Sequence, residues 1–237
     1  MPPAIAKTGH FRAVLRFLRD RMERIAHRGC GGVYPENTVR AVRRSADRLP
    51  AVEVDVRRCA SGELVCCHDP TVDRVTDGSG RVAELALAEL HELDVQGSGE
   101  PIPTLADVVV AVPEPVTLQI ELKEPGLGPD VLRSARSHRR VRLSSFLPAA
   151  LREVSDSARP TGLLFEGEPD ANLALALELG CSNVHPHWRT CVETDVVERA
   201  RERGLGVLAW GAKSSRTAVD AAREAGADGV TVDRPDP

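Results

Sequence analysis

Three consecutive units in the C-terminal half share one pattern, and that pattern restricts the fold more than any other property of the chain. Asp170 can cap a helix carrying Leu173 and Leu177 that stops at Gly180, and the run Asn183-Val184-His185 follows. Thr194 can cap the next, with Val197 and Ala200 and a stop at Gly204, before a strand over residues 206–210. Ser214 can cap a third, with Ala218, Val219 and Ala222 and a stop at Gly226, before a strand over residues 229–232. Each unit reads as polar N-cap, apolar stripe, glycine at C′ and short apolar strand. The stop glycines fall 24 and 22 residues apart. Strands separated by helices at that period lie parallel in one sheet with helical crossovers.

The first half follows the same plan. Residues 24–27 read as a strand, and residues 38–49 as a helix with Val39, Val42, Ala46 and Leu49 on one face. Further strands are expected at 52–56, 64–68, 117–122, 140–146 and 161–165. At 237 residues the chain has the size of a single α/β barrel, with nine strand candidates for eight positions. The surplus lies at the second and third strands. Only about seven residues around Ser61-Gly62 separate them, too few for a helical crossover. They read as an extended hairpin; a tight non-helical return with both strands in the barrel is the alternative. With the turn centred on Ser61, paired residues sum to about 122, which sets His68 beside Val54.

Residues 69–103 are glycine-rich at both ends, hold one short helix around 85–93, and read as a cap inserted over the sheet's C-terminal edge. The expectation is therefore an α/β fold, a TIM (β/α)8 barrel over residues 23–237 with a short insertion after the third strand. Residues 1–22 form a helical extension with Phe11, Val14, Leu15 and Leu18 at helical spacing between Arg12, Arg16 and Arg19. We read it as a helix plugging the barrel's bottom, with weak contact to a membrane surface as the alternative.

Composition narrows the function. A net charge of −4 and the lack of a basic, aromatic-interleaved stripe argue against a nucleic-acid partner. The six cysteines (Cys30, Cys59, Cys66, Cys67, Cys181 and Cys191) have poor disulfide spacing, which favours a reducing compartment, the cytoplasm. Cys181, His185, His187 and Cys191 superficially suggest zinc, but Pro186 interrupts a spacing that is not a standard zinc pattern.

Chemistry concentrates where strands end. Glu53 and Asp55 flank Val54, and Glu121 and Lys123 flank Leu122, so each pair shares a strand face. A lone Glu-x-Asp reads as a solvated edge, but carboxylates on two apolar strands need a cation. Oxygen ligands without cysteine suit Mg²⁺, Ca²⁺ or Mn²⁺. His27 and His68 each close a strand on that face, as an acid–base pair, and among three carboxylates a histidine should have a raised pKa until a divalent ion reverses the push. Only three of the 31 Lys and Arg residues are lysine, so Lys123 beside Glu121 is conspicuous. Arg28, Lys123 and a divalent ion describe a phosphate pocket.

The runs His27-Arg28-Gly29, Pro35-Glu36-Asn37-Thr38, Glu53-Val54-Asp55-Val56, His68-Asp69, Glu121-Leu122-Lys123, Ser145-Phe146 and Asp233-Arg234-Pro235, in this order over residues 24–235, resemble the glycerophosphodiester phosphodiesterase family. The resemblance implies the TIM barrel of the phospholipase C-like phosphodiesterase superfamily and a divalent cation, Mg²⁺ or Ca²⁺, at Glu53, Asp55 and Glu121. It implies acid–base work by His27 and His68 and phosphate contacts from Arg28 and Lys123; we take His27 as first base and His68 as acid. Glu36 and Asn37 would order the first loop and touch a small glycerophosphodiester, and Trp210 would line its pocket. By resemblance the nucleophile is the neighbouring glycerol hydroxyl, giving a cyclic phosphate that water opens. Two stretches depart from the family pattern: the glycine-rich Cys30-Gly31-Gly32-Val33-Tyr34, and Gly211-Ala212-Lys213, where the family shows Thr and then Asn. Both bear on substrate choice. A lysophospholipase D-like enzyme of the same superfamily and a silent phosphate- or lipid-binding barrel are the competing readings. Nothing in the sequence gives the oligomeric state.

Overall fold

A computed structural model describes residues 22–236. Eight parallel strands close into a barrel: β1 (Glu23–Ala26), β2 (Ala51–Arg58), β4 (Thr117–Leu122), β5 (Val141–Ser145), β6 (Thr161–Phe165), β7 (Asn183–Pro186), β8 (Gly206–Ala209) and β9 (Gly229–Val232). Closure comes from β1, which pairs with β9 on one side and β2 on the other. The ninth strand, β3 (Leu64–Cys66), stands outside the ring as the antiparallel partner of β2. Its register is Val56↔Cys66, Arg57↔Val65 and Arg58↔Leu64, the hairpin arithmetic expected from the turn at Ser61.

Alternation along β2 sorts the chemistry. Val52, Val54 and Val56 point outward into the main core, where they meet Val42 of α1 (Val39–Ala46) and Val108 of α3 (Leu105–Ala111). Glu53 and Asp55, on the opposite face, point into the barrel. The interior is polar in its lower half as well: Arg142 pairs with Glu23 at 3.0 Å and donates to Gln119 at 3.0 Å. A small apolar cluster of Ile25, Ala51 and Leu208 sits among these strands.

The helix signals operate as the sequence suggests, with shifted caps. Thr38 caps α1 by accepting from the Ala41 N–H, and Thr104 with Asp107 forms a capping box on α3. Gly180, Gly204 and Gly226 all take left-handed φ where their helices end. The helix after Gly167 starts at Pro169, before Asp170, and α9 (Arg216–Glu224) is capped by Ser215, whose hydroxyl accepts from Ala218, rather than by Ser214. A short helix over Trp188–Glu193 precedes the one at Val196–Glu202; Thr194 ends the first, and its hydroxyl accepts the Val196 N–H at the start of the second at 3.2 Å. Its start is signalled by His187, whose ring nitrogen accepts from the Arg189 N–H.

Residues 69–103 build a lobe on the outer face of the hairpin. It carries a 3-10 turn at Val82–Glu84 and helix α2 at Leu87–His91. Val72, Val75, Val82, Leu90, Val95 and Ile102 form its core with Cys59, Val65 and Cys67 from the hairpin. Cys66 points the other way, into the barrel's core. All six cysteines are buried and free. The proposed helix within residues 1–22 lies outside the described residues, apart from Met22. Among the described residues no helix is long and apolar enough to cross a membrane.

Candidate active site

The C-terminal ends of β1, β2, β4 and β9 and the far end of the hairpin converge on one cavity of about 250 Å³. His27, Arg28, Glu53, His68, Glu121 and Lys123 line one part of it, and Phe146, Leu164 and Trp210 another. Strand register explains the convergence. Asp55 lies opposite Glu121 in the β2–β4 ladder, and Glu53 opposite Gln119. On the hairpin, the Cys67 N–H donates to the Asp55 carbonyl at 3.1 Å, which carries His68 back beside β2. Arg57 then holds the His68 carbonyl with two bonds of 3.0 and 2.8 Å.

One oxygen each from Glu53, Asp55 and Glu121 lies within 4.8 Å of the others, the only such metal-sized group among the described residues. Cys181, His185, His187 and Cys191 form no comparable cluster. Glu53 and Asp55 are 2% and 0% exposed, yet Glu53 Oε1 and Asp55 Oδ1 have no hydrogen-bond partner. Orphaned, buried carboxylate oxygens facing one point fit a hard divalent cation. The electrostatics agree. Burial and then Asp55 push Glu53 up to about 8 and also raise Glu121. Burial works against ionisation of Asp55 too, but Lys123 and Arg28 overcome it and hold its pKa down. Lys123 donates to Glu121 Oε1 at 2.6 Å and lies 3.5 Å from Asp55 Oδ1.

Each histidine is held through Nδ1 by a carboxylate. Asp233 meets His27 at 2.7 Å and Asp69 meets His68 at 2.6 Å. A ring held through Nδ1 leaves Nε2 as its other nitrogen for a further partner. Asp233 reaches His27 because Ala26 pairs with Val232 across the β1–β9 closure, so the two residues leave their strands side by side. The glycine-rich loop closes over this pair: the Gly32 N–H donates to the Asp233 carbonyl at 3.1 Å, and a Cβ at Gly32 would sit 2.9 Å from that oxygen.

The rings differ in charge environment. Burial opposes a proton on His27, but Asp233 and Glu53 outweigh it and raise the pKa. His68 departs from expectation: burial, with Lys123 and Arg28 beside it, outweighs Asp55 and Asp69 and lowers its pKa. Three carboxylates alone would have raised it, but two cations share its side of the cavity.

Arg28 has left-handed backbone, donates its N–H to Glu53 at 2.8 Å, bonds Glu36 at 3.0 Å through Nη1 and sets Nε 3.3 Å from Asp55. Glu36 and Asn37 stand behind the cavity wall. Asn37 donates to Asp55 Oδ2 at 2.9 Å and accepts from the Asp55 N–H at 3.0 Å, so its amide orients a carboxylate of the cluster. Glu36 binds Arg28 and Arg74. Trp210 lines the cavity, donates to the Phe165 carbonyl at 3.0 Å and stacks edge-on against Phe146 at 5.1 Å.

Sequence reasoning assigned no role to Asp69, Asp233, Arg57, Arg74 or Lys213, although the first two lie inside quoted motifs. Asp69 was findable as the neighbour of His68. Asp233 depends on a closure spanning the whole chain.

Comparison with known proteins places these features in a family. Residues 27–237 match the glycerophosphoryl diester phosphodiesterase family. A glycerophosphodiester phosphodiesterase from Caldanaerobacter subterraneus is 30% identical over 90% of this chain and 94% of its own. An Oleispira antarctica phosphodiesterase, solved in complex with the product sn-glycerol-3-phosphate, is 28% identical, with a TM-score of 0.81 over 90% of this chain and 93% of that one. A Thermotoga maritima glycerophosphodiester phosphodiesterase shares the fold, with a TM-score of 0.78 at 23% identity. On the family match across the barrel and its catalytic face, the chain belongs to the glycerophosphoryl diester phosphodiesterase family.

Proposed function

We propose that this protein hydrolyses glycerophosphodiesters to glycerol phosphate and an alcohol, using a divalent cation held by Glu53, Asp55 and Glu121 and acid–base work by His27 and His68. The observation that carries this reading is the buried trio of carboxylates, two of them with an orphaned oxygen, beside a cavity lined by Glu53, Glu121 and two histidines each pinned by an aspartate. When bound, the cation supplies Lewis-acid neutralisation of the phosphoryl oxygens. Arg28 and Lys123 add fixed positive charge that Glu36, Asp55 and Glu121 hold in place.

The proton steps fall to the histidines. One ring takes the proton of the neighbouring glycerol hydroxyl as its oxygen attacks phosphorus. The other gives a proton to the leaving alcohol as the P–O bond breaks. The roles reverse when water opens the cyclic phosphate. In the metal-free site the charges around the two rings favour His68 as first base and His27 as acid, the reverse of the order expected from sequence, and a cation at Glu53 and Asp55 would reduce the pull on His27. Lys123 and Arg28 disfavour a proton on His68, whereas Asp233 favours one on His27.

The product-bound Oleispira relative supports a small glycerol phosphate half. Phe146, 40% exposed beside Trp210, supplies an apolar rim, so a lysolipid belongs in the substrate panel. Six buried thiols support the cytoplasm as the compartment.

The test is hydrolysis of glycerophosphocholine with Mg²⁺, Ca²⁺ or Mn²⁺, before and after EDTA, alongside His27→Ala and His68→Ala. We expect metal-dependent activity that each variant lowers at least about 100-fold. A p-nitrophenyl leaving group needs no proton, so on that diester His27→Ala should keep most activity and His68→Ala little. Sparing of His68→Ala instead would restore the order expected from sequence. Activity indifferent to EDTA, or unaltered in both variants, would overturn the mechanism.

A further inference from the structure

Arg74 belongs to the insertion and does not line the cavity, yet it touches the partners of two cavity residues. Its Nε donates to Asp69 Oδ2, while Nη1 and Nη2 donate to Glu36 Oε2 and Oε1 at 2.9 and 2.8 Å. Asp69 spends its other oxygen on His68 Nδ1 at 2.6 Å. Glu36 Oε1 also accepts from Arg28 Nη1 at 3.0 Å. A continuous chain results, His68–Asp69–Arg74–Glu36–Arg28, running from a proposed acid–base histidine to a proposed phosphate contact.

Building on the function proposed above, we propose that Arg74 is a positioning residue that orients His68 through Asp69 and Arg28 through Glu36 at the same time.

The chemistry requires a guanidinium. Asp69 and Glu36 are two carboxylates drawn together at one point, and without a cation between them they repel. Three nitrogens in a rigid fork meet three carboxylate oxygens, a geometry that a single ammonium does not reproduce. Each of the three nitrogens gives one N–H to these carboxylates, and Arg74 does not line the cavity, so its part is to hold Asp69 and Glu36 rather than to bind substrate. Asp69 is correspondingly held down to about 2, by Arg74 and His68 against burial, and stays ionised as the acceptor His68 needs. Gln96, also from the insertion, accepts the Glu36 N–H at 3.2 Å and fixes the other end of that residue. The insertion has its own apolar core of Val72, Val75, Val82, Leu90, Val95 and Ile102, so its fold does not hang on Arg74. The side chain is 46% exposed, which leaves the position open to a small solute if the side chain is removed.

The test compares Arg74→Ala, Arg74→Lys and Asp69→Asn in the full chain. We expect Arg74→Ala to lower kcat/KM on glycerophosphocholine about 10- to 100-fold, through both a lower kcat and a higher KM. Arg74→Lys should stay impaired, and millimolar methylguanidinium should restore Arg74→Ala but not Asp69→Asn. The effects of Arg74→Ala and Asp69→Asn on kcat should fall well short of multiplying when combined. Two readouts do not need turnover. In side-chain ¹⁵N spectra at pH 8, His68 should show one tautomer, protonated at Nδ1, in the parent and a mixture in Arg74→Ala. The dissociation constant of sn-glycerol 3-phosphate should rise severalfold in Arg74→Ala. Unchanged His68 spectra and glycerol phosphate affinity, or a variant whose only change is a lower melting temperature, would overturn the proposal. An inactive parent protein would overturn the function reading alone, since the spectra and the affinity would still report on Arg74.

Discussion

At the scale of single residues, charge placement governs the site. Glu53 illustrates the cost of the arrangement. Its folded pKa is raised from 4.5 to about 8 by burial and by Asp55. A carboxyl raised in this way binds more protons folded than unfolded between those values, so metal-free protein should lose stability as pH rises through that window. A divalent ion that binds only the folded state adds stability by mass action and requires Glu53 to release its proton, so its benefit should grow toward pH 8. Thermal unfolding in EDTA should show a melting temperature falling from pH 5 to 8. Millimolar Mg²⁺, Ca²⁺ or Mn²⁺ should reverse the fall in the parent, and Glu53→Gln should flatten both effects. No metal-induced shift at pH 8 would count against these carboxylates as ligands. The same scale explains the misjudged His68. Proximity to Asp55 was readable from hairpin arithmetic, but the burial of the ring, the largest influence on it, was not, nor how closely Lys123 and Arg28 flank it.

At the scale of elements, what matters is how closely neighbouring strands approach. Gly162 on β6 and His185 on β7 form such a contact: a Cβ at Gly162 would sit 2.4 Å from His185 Nε2. His185 is 1% exposed, and burial with the charge of Arg142 holds its pKa near 3, so the ring packs as a neutral group. Gly162→Ala should therefore destabilise the barrel by about 1–3 kcal/mol through overpacking, measurable by urea unfolding. Gly162→Ala combined with His185→Ala should recover part of that loss, and strict additivity would refute the contact as its cause. Elements also mark where sequence reading was sound. The helix stops at Gly180, Gly204 and Gly226 were legible because a left-handed C′ residue is a local steric requirement. The helix at Trp188–Glu193 was missed because its signals, Pro186 ending a strand and His187 as cap, were absorbed into a zinc-like spacing.

At the scale of the whole molecule, an acidic protein must attract an anion. The net charge is −4, and the cations facing the cavity are Arg28, Lys123 and, at the rim, Lys213. At an ionic strength of about 0.1 M the Debye length is about 10 Å, so distant surface charges are already screened. Further salt then weakens mainly the local attraction. Raising NaCl from about 0.1 to about 0.5 M should increase KM roughly two- to fivefold with little change in kcat. Lys213→Asn should reduce that dependence while leaving kcat intact. A KM insensitive to salt would mean that the rim lysine plays no part in capture.

Short-range patterns specify the barrel and the strand ends where the candidate site residues stand. Helix stops, strand alternation and a seven-residue hairpin linker act over a few residues, and each is a steric or hydrogen-bonding requirement that a short window displays. The convergence of Glu53, Glu121, Lys123, His27 and His68 on one cavity, with Asp55 buried beside it, followed from those local rules. What holds them in place comes from contacts between distant parts of the chain. Asp233 meets His27 because the last strand closes on the first, 206 residues apart in the chain. Arg74 reaches Glu36 across 38 residues because the insertion folds back over the first loop. Such contacts arise where separate segments are brought to one place by burial of a shared core, and no local periodicity encodes where two distant side chains will meet.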